Sequence, residues 1–440
     1  MTGPLVTVLR HEGLRMSQNR LRLLYVTLFP ASPPRFGAQR RLQGLMSGLA
    51  RKNDITAVSF LPPDLDASEA ERAMRQYCDL VLIPSRSGTG GSKRLLQARS
   101  LFSRASFERR FFSLRTLQQA LDRLLLSRPY DIVNIEAPFL AHYRLALAPP
   151  GERVPRLVLD QHNIEFDLVR QMAETEHGFA RRLYNSANWP KVRREEISAW
   201  QTFDGVSFTS ALDEQRARSL VPSVRSTVIP NAVDVEHFKP AGDHPLPDGC
   251  TVLFFGAINY YPNIDGLLFF LREVWPRLLA SHPRARLKIV GQHPTPEILA
   301  HAGPRVEVAG LVDDVRRHLA QAAVVIVPLR LGGGTRLKVL ESMAMARPVV
   351  STSIGAEGID VAPERNILLA DDPASFAVAV GRLLDEPDLA ARIGRTGRAL
   401  VEAQYSWDTA AQRLEAFFRD ILSSAPVALR RSTNPVLPRW

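Results

Sequence analysis

The sequence predicts an α/β fold made of two domains, each built on a doubly wound parallel sheet. Short apolar, often β-branched runs alternate with helical stretches along the chain, which is typical of parallel strands buried on both faces. A segment with five prolines and no helical period, residues 219–249, interrupts this alternation near the middle. The 440 residues leave ample length for two cores.

The individual elements follow from these runs. Six segments of the first half have the composition of buried strands: residues 21–29, 55–60, 80–84, 131–136, 156–160 and 205–210. Five segments of the second half do so too: residues 251–256, 286–291, 306–310, 323–329 and 347–352. Helical segments such as residues 38–52 separate them, and residues 407–422 form a last helix before a polar tail. We expect ligands at the carboxyl ends of the strands, in a cleft between the domains.

Composition limits the class of protein. The formal net charge of +11 favours anionic partners, whether nucleic acid, an anionic membrane surface or phosphorylated small molecules. The two cysteines, Cys78 and Cys250, are far apart and imply no disulfide framework, so an intracellular protein is predicted. No apolar run approaches the roughly 20 residues that span a bilayer, and the first 20 residues do not resemble a signal peptide.

One segment carries an unusual charge pattern, "GGGTRLKVLESMAMARPVVST" (residues 332–352). It follows a predicted strand and opens a predicted helix, whose start already attracts anions through its free N–H groups and dipole. Cations in the first turn are normally unfavourable, so Arg336 and Lys338 indicate a ligand with more than one negative charge, such as a diphosphate. Glycines 332–334 allow close approach, and Thr335 is predicted either to cap the helix or to donate its hydroxyl.

Glu341 is the next polar residue on the Lys338 side of this helix. Its carboxylate can accept hydrogen bonds from two adjacent hydroxyls, which suits a ribose. The alternative is a surface ion pair between Lys338 and Glu341, which would contribute only a few tenths of a kcal/mol.

The quoted segment resembles the nucleotide-sugar signature of the retaining GT-B glycosyltransferases in the family called glycosyl transferases group 1. "STVIPNAVDVEHFKP" is similar to that family's interdomain segment, and "YSWDTAAQRLEAFFRDIL" to its closing helix, which crosses back to the first domain. "FPASPPRFGAQRRLQGLMSGLA" resembles its first glycine-containing loop and helix, with Gly37 at the loop.

This resemblance implies a GT-B fold and an enzyme that moves a hexosyl unit from a nucleoside-diphosphate sugar such as a UDP- or GDP-sugar. It also implies a hydroxyl acceptor (a glycan or lipid-diphosphate-linked glycan of polysaccharide biosynthesis), retention at the anomeric carbon, and neither metal nor cofactor. The expected domains are an N-terminal acceptor domain, a linker, a C-terminal nucleotide-sugar domain, a crossover helix and a flexible tail. Their predicted bounds are 21–225, 226–248, 249–405, 406–425 and 426–440.

The chain departs from the family pattern at two places. The family usually has two glutamates eight positions apart; Glu341 matches the second, but Gly333 occupies the place of the first. The usual Arg and Lys after the first strand of the C-terminal domain are also missing from "GAINYYPNIDG" (256–266). We therefore expect Arg336 and Lys338 to replace them at the diphosphate, with Gly256 and Asn259 also contacting the nucleotide. An exopolysaccharide-associated subset of the family resembles this chain in the GGGTR-K pattern and the aromatic–Pro–Asn turn.

A second candidate group lies in "LDQHNIEFD" (159–167), where a strand ends and a helix begins. By resemblance, His162 matches a histidine near the donor sugar and the acceptor hydroxyl, with Asp160, Asn163 and Glu165 around it. A histidine beside carboxylates can accept a proton or donate a hydrogen bond near neutral pH. The alternative is that Asn163 caps the helix and His162 is incidental. Glu136, at the end of the neighbouring strand, is a weaker candidate.

Residues 86–115 contain eight cations, among them Arg104, Arg109 and Arg110, and a single acid, Glu108. Leucine and phenylalanine residues interleave with them, so a helix here is predicted to lie on anionic lipid or to contact a lipid-diphosphate acceptor. The alternative is a solvated basic helix whose aromatic residues pack on the sheet. Binding of single-stranded nucleic acid is not expected, because no recognised nucleic-acid module accompanies the segment.

The sequence therefore predicts a cytoplasmic glycosyltransferase, peripheral on the inner face of the plasma membrane if the basic segment binds lipid. No metal site is expected, since the histidines and cysteines lack zinc-ligand spacing. Two other functions stay open: a nucleotide-sugar epimerase or hydrolase on the same fold, and a basic binding protein without catalysis.

Overall fold

The computed structural model describes residues 7–8, 20–34, 37–63, 65–85, 90–175, 178–240, 247–258, 260–331 and 336–425. The chain divides into two compact units. The N-terminal unit comprises residues 1–229 together with 411–440, and the C-terminal unit comprises residues 230–410.

The N-terminal unit contains an eight-stranded sheet covered by helices. Its strands are β1 (Thr7–Val8), β2 (Arg22–Thr27), β3 (Asp54–Leu61), β4 (Asp79–Pro84), β5 (Ile132–Ile135), β6 (Arg156–Gln161), β7 (Gly205–Phe208) and β8 (Ser226–Val228). Its helices are α1 (Gly37–Ala50), α2 (Ala67–Met74), α3 (Gly90–Leu101), α4 (Phe107–Phe111), α5 (Arg115–Ser127), α6 (Glu165–Thr175), α7 (Phe179–Thr202) and α8 (Ala211–Leu220). A short 3₁₀ turn, Pro138–Leu140, follows β5.

The strand order of this sheet is β1-β4-β3-β2-β5-β6-β7-β8. Strands β2 to β8 are parallel, and the short β1 is antiparallel to β4. The chain builds outward from β2 in one direction and then returns to add β5 on its other side. The carboxyl ends of β2 and β5 are therefore the topological switch point, where ligands of open α/β sheets bind.

The C-terminal unit repeats this plan with six parallel strands, in the order β11-β10-β9-β12-β13-β14. The strands are β9 (Thr251–Phe255), β10 (Arg286–Val290), β11 (Val306–Gly310), β12 (Val324–Val327), β13 (Val349–Ser351) and β14 (Leu368–Leu369). The helices are α9 (Tyr261–Phe269), α10 (Trp275–Ser281), α11 (Pro296–Leu299), α12 (Val315–Gln321), α13 (Leu337–Ala344), α14 (Pro373–Asp385) and α15 (Pro387–Gln404). A π-helical turn, Phe270–Val274, joins α9 to α10, and a 3₁₀ turn covers Ile354–Ala356. The switch point lies between β9 and β12.

Both faces of the second sheet are buried, as the continuous apolar runs predict. On β9, Val252 and Phe254 belong to one apolar cluster, whereas Leu253 and Phe255 belong to the cluster on the opposite face. Alternate side chains of a strand point to opposite faces, so a run of consecutive apolar residues is what a doubly covered strand requires.

The last helix, α16 (Trp407–Ser423), links the two units in sequence. It begins in the C-terminal unit, and from Ala411 onward it groups with the N-terminal unit. A Cβ atom on Gly205 of β7 would lie 2.4 Å from Ile421 Cδ1 and 2.7 Å from Phe417 Cζ. The absence of a side chain at Gly205 therefore lets α16 pack closely on the sheet.

The predicted fold class is confirmed, and all eleven predicted strands are present with ends that shift by a few residues. Three strands were not predicted: β1, β8 and β14, each two or three residues long. Such short segments carry no readable periodicity. Strand β8 lies in the segment expected to be linker, where its pairing with β7 extends the first sheet. Among the described helices, none is both long and apolar enough to cross a membrane.

Candidate functional site

In the C-terminal unit, the two polar side chains Lys338 and Asn263 meet at the switch point. Lys338 lies in the first turn of α13, which follows β12, and Asn263 lies on α9, which follows β9. Lys338 Nζ donates a hydrogen bond to Asn263 Oδ1 at 2.7 Å. The same nitrogen lies 4.2 Å from the centroid of the Phe254 ring, within cation–π range. The ammonium group is thus held in one place.

Two backbone features support this arrangement. Gly256 directly follows β9 with φ of +145°, and a Cβ atom there would lie 3.0 Å from Lys338 Nζ. Glycine is therefore the residue that leaves room for the ammonium group. The Nδ2 of Asn263 donates to the carbonyl of Ala257 at 2.8 Å, which orients Oδ1 toward Lys338.

The charge state of Lys338 responds to this environment. Burial and, to a smaller extent, the charge of Arg336 lower the pKa of Lys338 to about 7, while Glu341 acts in the opposite direction. An opposite charge favours the protonated amine. A bound anion would therefore restore the full positive charge at this position.

The start of α13 differs in one detail from the sequence prediction. Arg336 occupies the N-cap position with extended backbone, φ −84° and ψ 100°, so the helix begins one residue later than expected. Because Arg336 is the N-cap, the prediction that Thr335 caps this helix is wrong. The alternative role of Thr335 as a hydroxyl donor lies outside the described residues, as do Gly332, Gly333 and Gly334. Asn259 also lies outside the described part of the chain. Lys338 occupies the first turn, as predicted.

Glu341 is buried within α13, with 4% of its surface exposed. This burial does not suit the alternative of a surface ion pair with Lys338. Glu341 lies three residues after Lys338, so its carboxylate is on the same side of the helix as the ammonium group.

In the N-terminal unit, a buried ion pair lies beneath the switch-point edge of the sheet. Asp160 of β6 and Arg41 of α1 each have 1% of the side chain exposed. Arg41 Nη2 donates to Asp160 Oδ1 at 2.7 Å, and Nε donates to Oδ2 at 3.1 Å. Ser207 Oγ also donates to Oδ1, at 2.7 Å. Burial by itself raises the pKa of Asp160, but Arg41 and His162 outweigh it, so this pKa lies well below its usual range.

His162 lies between two buried carboxyl groups. Its Nε2 is 3.3 Å from Asp160 Oδ2, and its Nδ1 is 4.0 Å from Glu136 Oε1. Glu136 follows β5, and its Oε2 accepts a hydrogen bond at 2.8 Å from the backbone N–H of Leu28, just after β2. Burial raises the pKa of Glu136 well above its usual value. The structure thus brings together three predicted candidates at the topological switch point.

The helix after His162 is not capped by Asn163. The backbone N–H groups of Glu165 and Phe166 donate at 2.9 Å to the two carboxylate oxygens of Glu196, a fully buried residue of α7. The alternative that Asn163 is the cap is therefore wrong. Asn163 is half-buried, its carbonyl accepting from Gln161 Nε2 at 2.5 Å. Burial, followed by the charge of Glu108, raises the pKa of Glu165 to about 7.

Gly37 is the first residue of α1 and is exposed. Gly37 was expected in the loop before this helix, and the structure places it within the helix instead. It lies four residues before Arg41, so Gly37 and the buried Arg41–Asp160 pair are connected through α1.

The basic segment separates into two parts. The phenylalanines of α4 and the residue after it pack together: Phe112 lies 5.1 Å from Phe111 and 5.4 Å from Phe60 of β3 between ring centroids. For these residues the alternative of packing on the sheet is confirmed. Phe102, by contrast, is 94% exposed.

Cations of α7 hold the turn that carries Phe102. Lys191 Nζ donates to the carbonyl of Ser100 at 2.7 Å, and Arg194 donates to the carbonyl of Arg104. We call the exposed group formed by Leu95, Arg99, Leu101, Phe102 and Arg104 the Phe102 surface.

Two other predicted cations are engaged within the protein. Arg109 pairs with Glu195 at 3.8 Å, and Arg110 Nη1 donates to Ser103 Oγ at 3.0 Å. They therefore contribute to local structure as well as to the surface charge.

Three site residues were missed at the sequence level: Arg41, Asn263 and Glu196. Each acts on a partner far away in the sequence, and no local motif indicates the pairing. The aromatic–Pro–Asn turn at Asn263 was noted, but its contact with Lys338 was not. Over the described residues, no group of three or more His, Cys, Asp or Glu side chains is placed to hold a metal ion.

Comparison with known proteins gives a family match in the C-terminal unit. Residues 249–386 match the family model described as glycosyl transferases group 1. An uncharacterized 44.6 kDa protein in the cps region of Klebsiella pneumoniae is 24% identical over 319 residues, covering 70% of this chain and 78% of that protein. A D-inositol 3-phosphate glycosyltransferase of Acidothermus cellulolyticus is 32% identical over 231 residues, covering 46% of this chain and half of the relative.

Solved structures with the GT-B fold match nearly the whole chain. A sucrose-phosphate synthase from Thermosynechococcus elongatus superimposes with a TM-score of 0.67 at 17% identity, covering 92% of this chain and 100% of that one. Anabaena Alr3699/HepE, solved in complex with UDP, gives a TM-score of 0.59 at 14% identity and covers 91% and 100%. At these identities the likeness establishes the fold alone.

Proposed function

The C-terminal unit of this chain matches the glycosyl transferases group 1 family over residues 249–386, and on that premise we propose that the protein transfers a hexosyl unit from a nucleoside-diphosphate sugar to a hydroxyl group of a glycan or lipid-linked glycan. The observation that carries the proposal is the fixed ammonium of Lys338 at the switch point of the C-terminal sheet. A nucleoside diphosphate is the leaving group of such a reaction, and its developing charge needs pre-oriented positive groups.

The donor is assigned to the C-terminal unit. Lys338 and Arg336 would contact the diphosphate, together with glycines 332–334 and Thr335. Glu341 would accept from the ribose hydroxyls, and Gly256 and Asn259 would line the nucleotide. What supports this assignment is the placement of Lys338 beside Gly256, together with the burial of Glu341 on the same helix.

The acceptor is assigned to the N-terminal unit, with Gly37, His162 and Asn163 near the acceptor hydroxyl and Asp160 behind His162. Support comes from the gathering of Asp160, His162 and Glu136 at the switch point, since carboxyl and imidazole groups hydrogen-bond readily to sugar hydroxyls. We further propose retention at the anomeric carbon and a role in polysaccharide assembly. The similarity to a protein from a cps region supports the latter.

A thermal-shift screen tests the donor assignment. A ligand that binds only the folded protein raises its melting temperature, so UDP, GDP or ADP, or a sugar derivative of one of them, should do so. Incubating the stabilising sugar nucleotide without acceptor then separates a transferase from a hydrolase or epimerase, because those activities need no acceptor. Absence of any shift across the whole set of nucleotides would refute the proposal.

We also propose that protein cations, with no metal ion, balance the diphosphate charge. Turnover should then persist in excess EDTA, because Lys338 and Arg336 supply the positive charge that Mg²⁺ supplies in many phosphoryl sites. The measurement is the initial rate of transfer before and after EDTA treatment, with an Mg²⁺-dependent kinase as the control for complete chelation. Loss of turnover that Mn²⁺ or Mg²⁺ restores would contradict this part of the proposal.

The Phe102 surface supports an acceptor held at an anionic membrane. An almost fully exposed aromatic ring among cations suits the lipid interface, where the ring enters the headgroup region and the cations meet anionic lipid. Lys191 and Arg194 hold the backbone of this turn, so the ring is presented on an ordered element.

Phe102→Ser combined with Arg99→Ala and Arg104→Ala should reduce binding to vesicles containing anionic lipid by about 30-fold or more. The two cations account for about 1 kcal/mol each near such a surface, and the lost ring adds to this. Co-sedimentation with vesicles of phosphatidylglycerol and phosphatidylcholine measures the effect. Val378→Ser, which removes another exposed apolar side chain (62% exposed) from the C-terminal unit, is the matched control. A wild-type protein that stays in the supernatant would rule out this surface as a membrane contact.

A further inference from the structure

Within the described part of the chain, the hydrogen-bond partners of the Arg41 side chain, Asp160 and Ile229, are both buried. In addition to its two hydrogen bonds to Asp160, its Nη1 donates to the carbonyl of Ile229 at 2.8 Å. Ile229 is the last residue of the N-terminal unit before the chain continues at Pro230. Three directed hydrogen bonds from one planar group fix the guanidinium plane, and with it the plane of the Asp160 carboxylate.

The Asp160 carboxylate is therefore an oriented acceptor. Its Oδ1 already accepts from Arg41 Nη2 and from Ser207 Oγ. Its Oδ2 accepts from Arg41 Nε and lies 3.3 Å from His162 Nε2. Nε2 makes no aligned hydrogen bond in the structure, but at 3.3 Å the ionised carboxylate repels a lone pair and attracts an N–H. We therefore expect the histidine nitrogen that faces Asp160 to carry the hydrogen.

The position of this hydrogen decides which imidazole nitrogen can accept a hydrogen bond from a ligand. In a neutral imidazole one nitrogen is a donor and the other an acceptor. If Nε2 carries the hydrogen, Nδ1 holds the lone pair. Nδ1 is 4.0 Å from Glu136 Oε1, which is beyond hydrogen-bond distance.

We propose that Arg41 is a positioning residue for His162. By orienting Asp160, Arg41 selects the tautomer of His162 with hydrogen on Nε2 and leaves Nδ1 as the acceptor for a substrate hydroxyl. The first half of this inference concerns the protein alone. The second half, the hydroxyl contact, rests on the proposed function.

An energetic argument supports a role beyond packing. A fully buried ion pair seldom stabilises a fold more than well-packed apolar residues of the same volume, because desolvation offsets the attraction. An Arg–Asp pair in the core of this unit therefore gives little stability that leucine or methionine would not give. Apolar residues could not provide the ionised, oriented carboxylate that the ion pair places 3.3 Å from His162 Nε2.

The tautomer can be observed directly by ¹⁵N NMR of histidine-labelled protein, with the His162 signal assigned by its loss in His162→Gln. In the wild type, we expect the His162 hydrogen on Nε2. In Asp160→Asn, the amide can itself donate a hydrogen bond to Nε2, so we expect the hydrogen on Nδ1 or a mixture of the two tautomers. We expect the same result in Arg41→Lys, because lysine lacks the planar guanidinium group that orients Asp160. Arg40→Lys, at the half-buried neighbouring position of α1, is the matched control and should keep the wild-type pattern.

A wild-type His162 with its hydrogen on Nδ1 overturns the inference, whether or not any variant folds. An unchanged tautomer in both Asp160→Asn and Arg41→Lys also overturns it.

The activity of the variants separates this inference from the proposed function. Arg41→Lys should lower kcat at least tenfold, while its affinity for a nucleoside diphosphate, measured by calorimetry, stays as in the wild type because Lys338 belongs to the other unit. If the protein proves not to be a transferase, the NMR result still decides the tautomer. If it is a transferase and Arg41→Lys shows the altered tautomer with unchanged kcat, the hydroxyl contact is refuted.

Discussion

Lys338→Ala is expected to weaken the binding of the nucleoside diphosphate by roughly 1.5–3 kcal/mol, the usual contribution of a hydrogen bond to a charged group. This corresponds to a rise in Kd of about 10- to 150-fold. The physical reason is that Nζ is pre-oriented by Asn263 and Phe254, so the variant loses a positioned donor that carries a positive charge when the diphosphate is bound. Isothermal titration calorimetry with the nucleotide found in the thermal-shift screen measures the change. Arg336→Ala should act in the same direction.

The matched control is Lys239→Ala, which removes an exposed lysine from the same unit; its side chain is 53% exposed in a pair with Glu236. Its Kd should equal that of the wild type. Unchanged affinity in both Lys338→Ala and Arg336→Ala would remove the basis of the donor assignment.

The same site predicts a pH dependence of donor binding. Because the pKa of Lys338 is lowered to about 7, the amine of the free protein is largely neutral at pH 8. A diphosphate favours its charged form, so binding at pH 8 should take up close to one proton, and affinity should fall as the pH rises above 7. Calorimetry in two buffers of different ionisation enthalpy measures the uptake. Lys338→Ala should abolish it.

Arg41→Ala is expected to destabilise the N-terminal unit by about 3–5 kcal/mol, because it leaves the Asp160 carboxylate buried without its counter-charge. Both side chains of this pair are only 1% exposed, so solvent cannot compensate. Urea unfolding measures the loss. Arg382→Ala, which breaks an exposed pair with Glu364 whose side chains are 40% and 61% exposed, should change stability by no more than about 1 kcal/mol.

Replacing both partners distinguishes this cause from simple loss of packing. Arg41→Met combined with Asp160→Leu should recover most of the stability, since no charge is then left buried. If the double variant is as unstable as Arg41→Ala, lost packing or the unpaired carbonyl of Ile229 would be the main cause. If Arg41→Ala is as stable as the wild type, the Arg41–Asp160 pair does not contribute to the stability of the N-terminal unit, and the prediction is refuted.

The sequence predicted most of the fold because its strands have a local signature. Strand β9 shows this well: five consecutive residues, Thr251–Phe255, four of them apolar, are what a strand covered on both faces requires. Strand β14, with two residues, has no such signature, and its place is decided by pairing with β13. Predictions therefore succeeded where a segment is long enough to show a period.

The candidate site was predictable only in part, for a related reason. His162, Asp160, Arg336 and Lys338 stand next to predicted strand and helix ends, so their location followed from topology. Arg41 lies 119 residues from Asp160, and Asn263 lies 75 residues from Lys338. Glu196 caps a helix that begins 31 residues earlier in the sequence. Local sequence cannot show which distant side chain completes a buried charge.

By itself, the amino-acid sequence determined the two α/β units, the order of their strands along the chain, and the location of cations beside a glycine-rich helix start. These depend on periodicity and on short-range backbone chemistry, which are properties of neighbouring residues. The tertiary structure decided that Lys338 is held by Asn263, that His162 faces an oriented carboxylate, and that Phe102 is the exposed ring of the basic segment. Those features depend on burial and on contacts between distant elements, because desolvation and pairing act on groups only after the chain has brought them together.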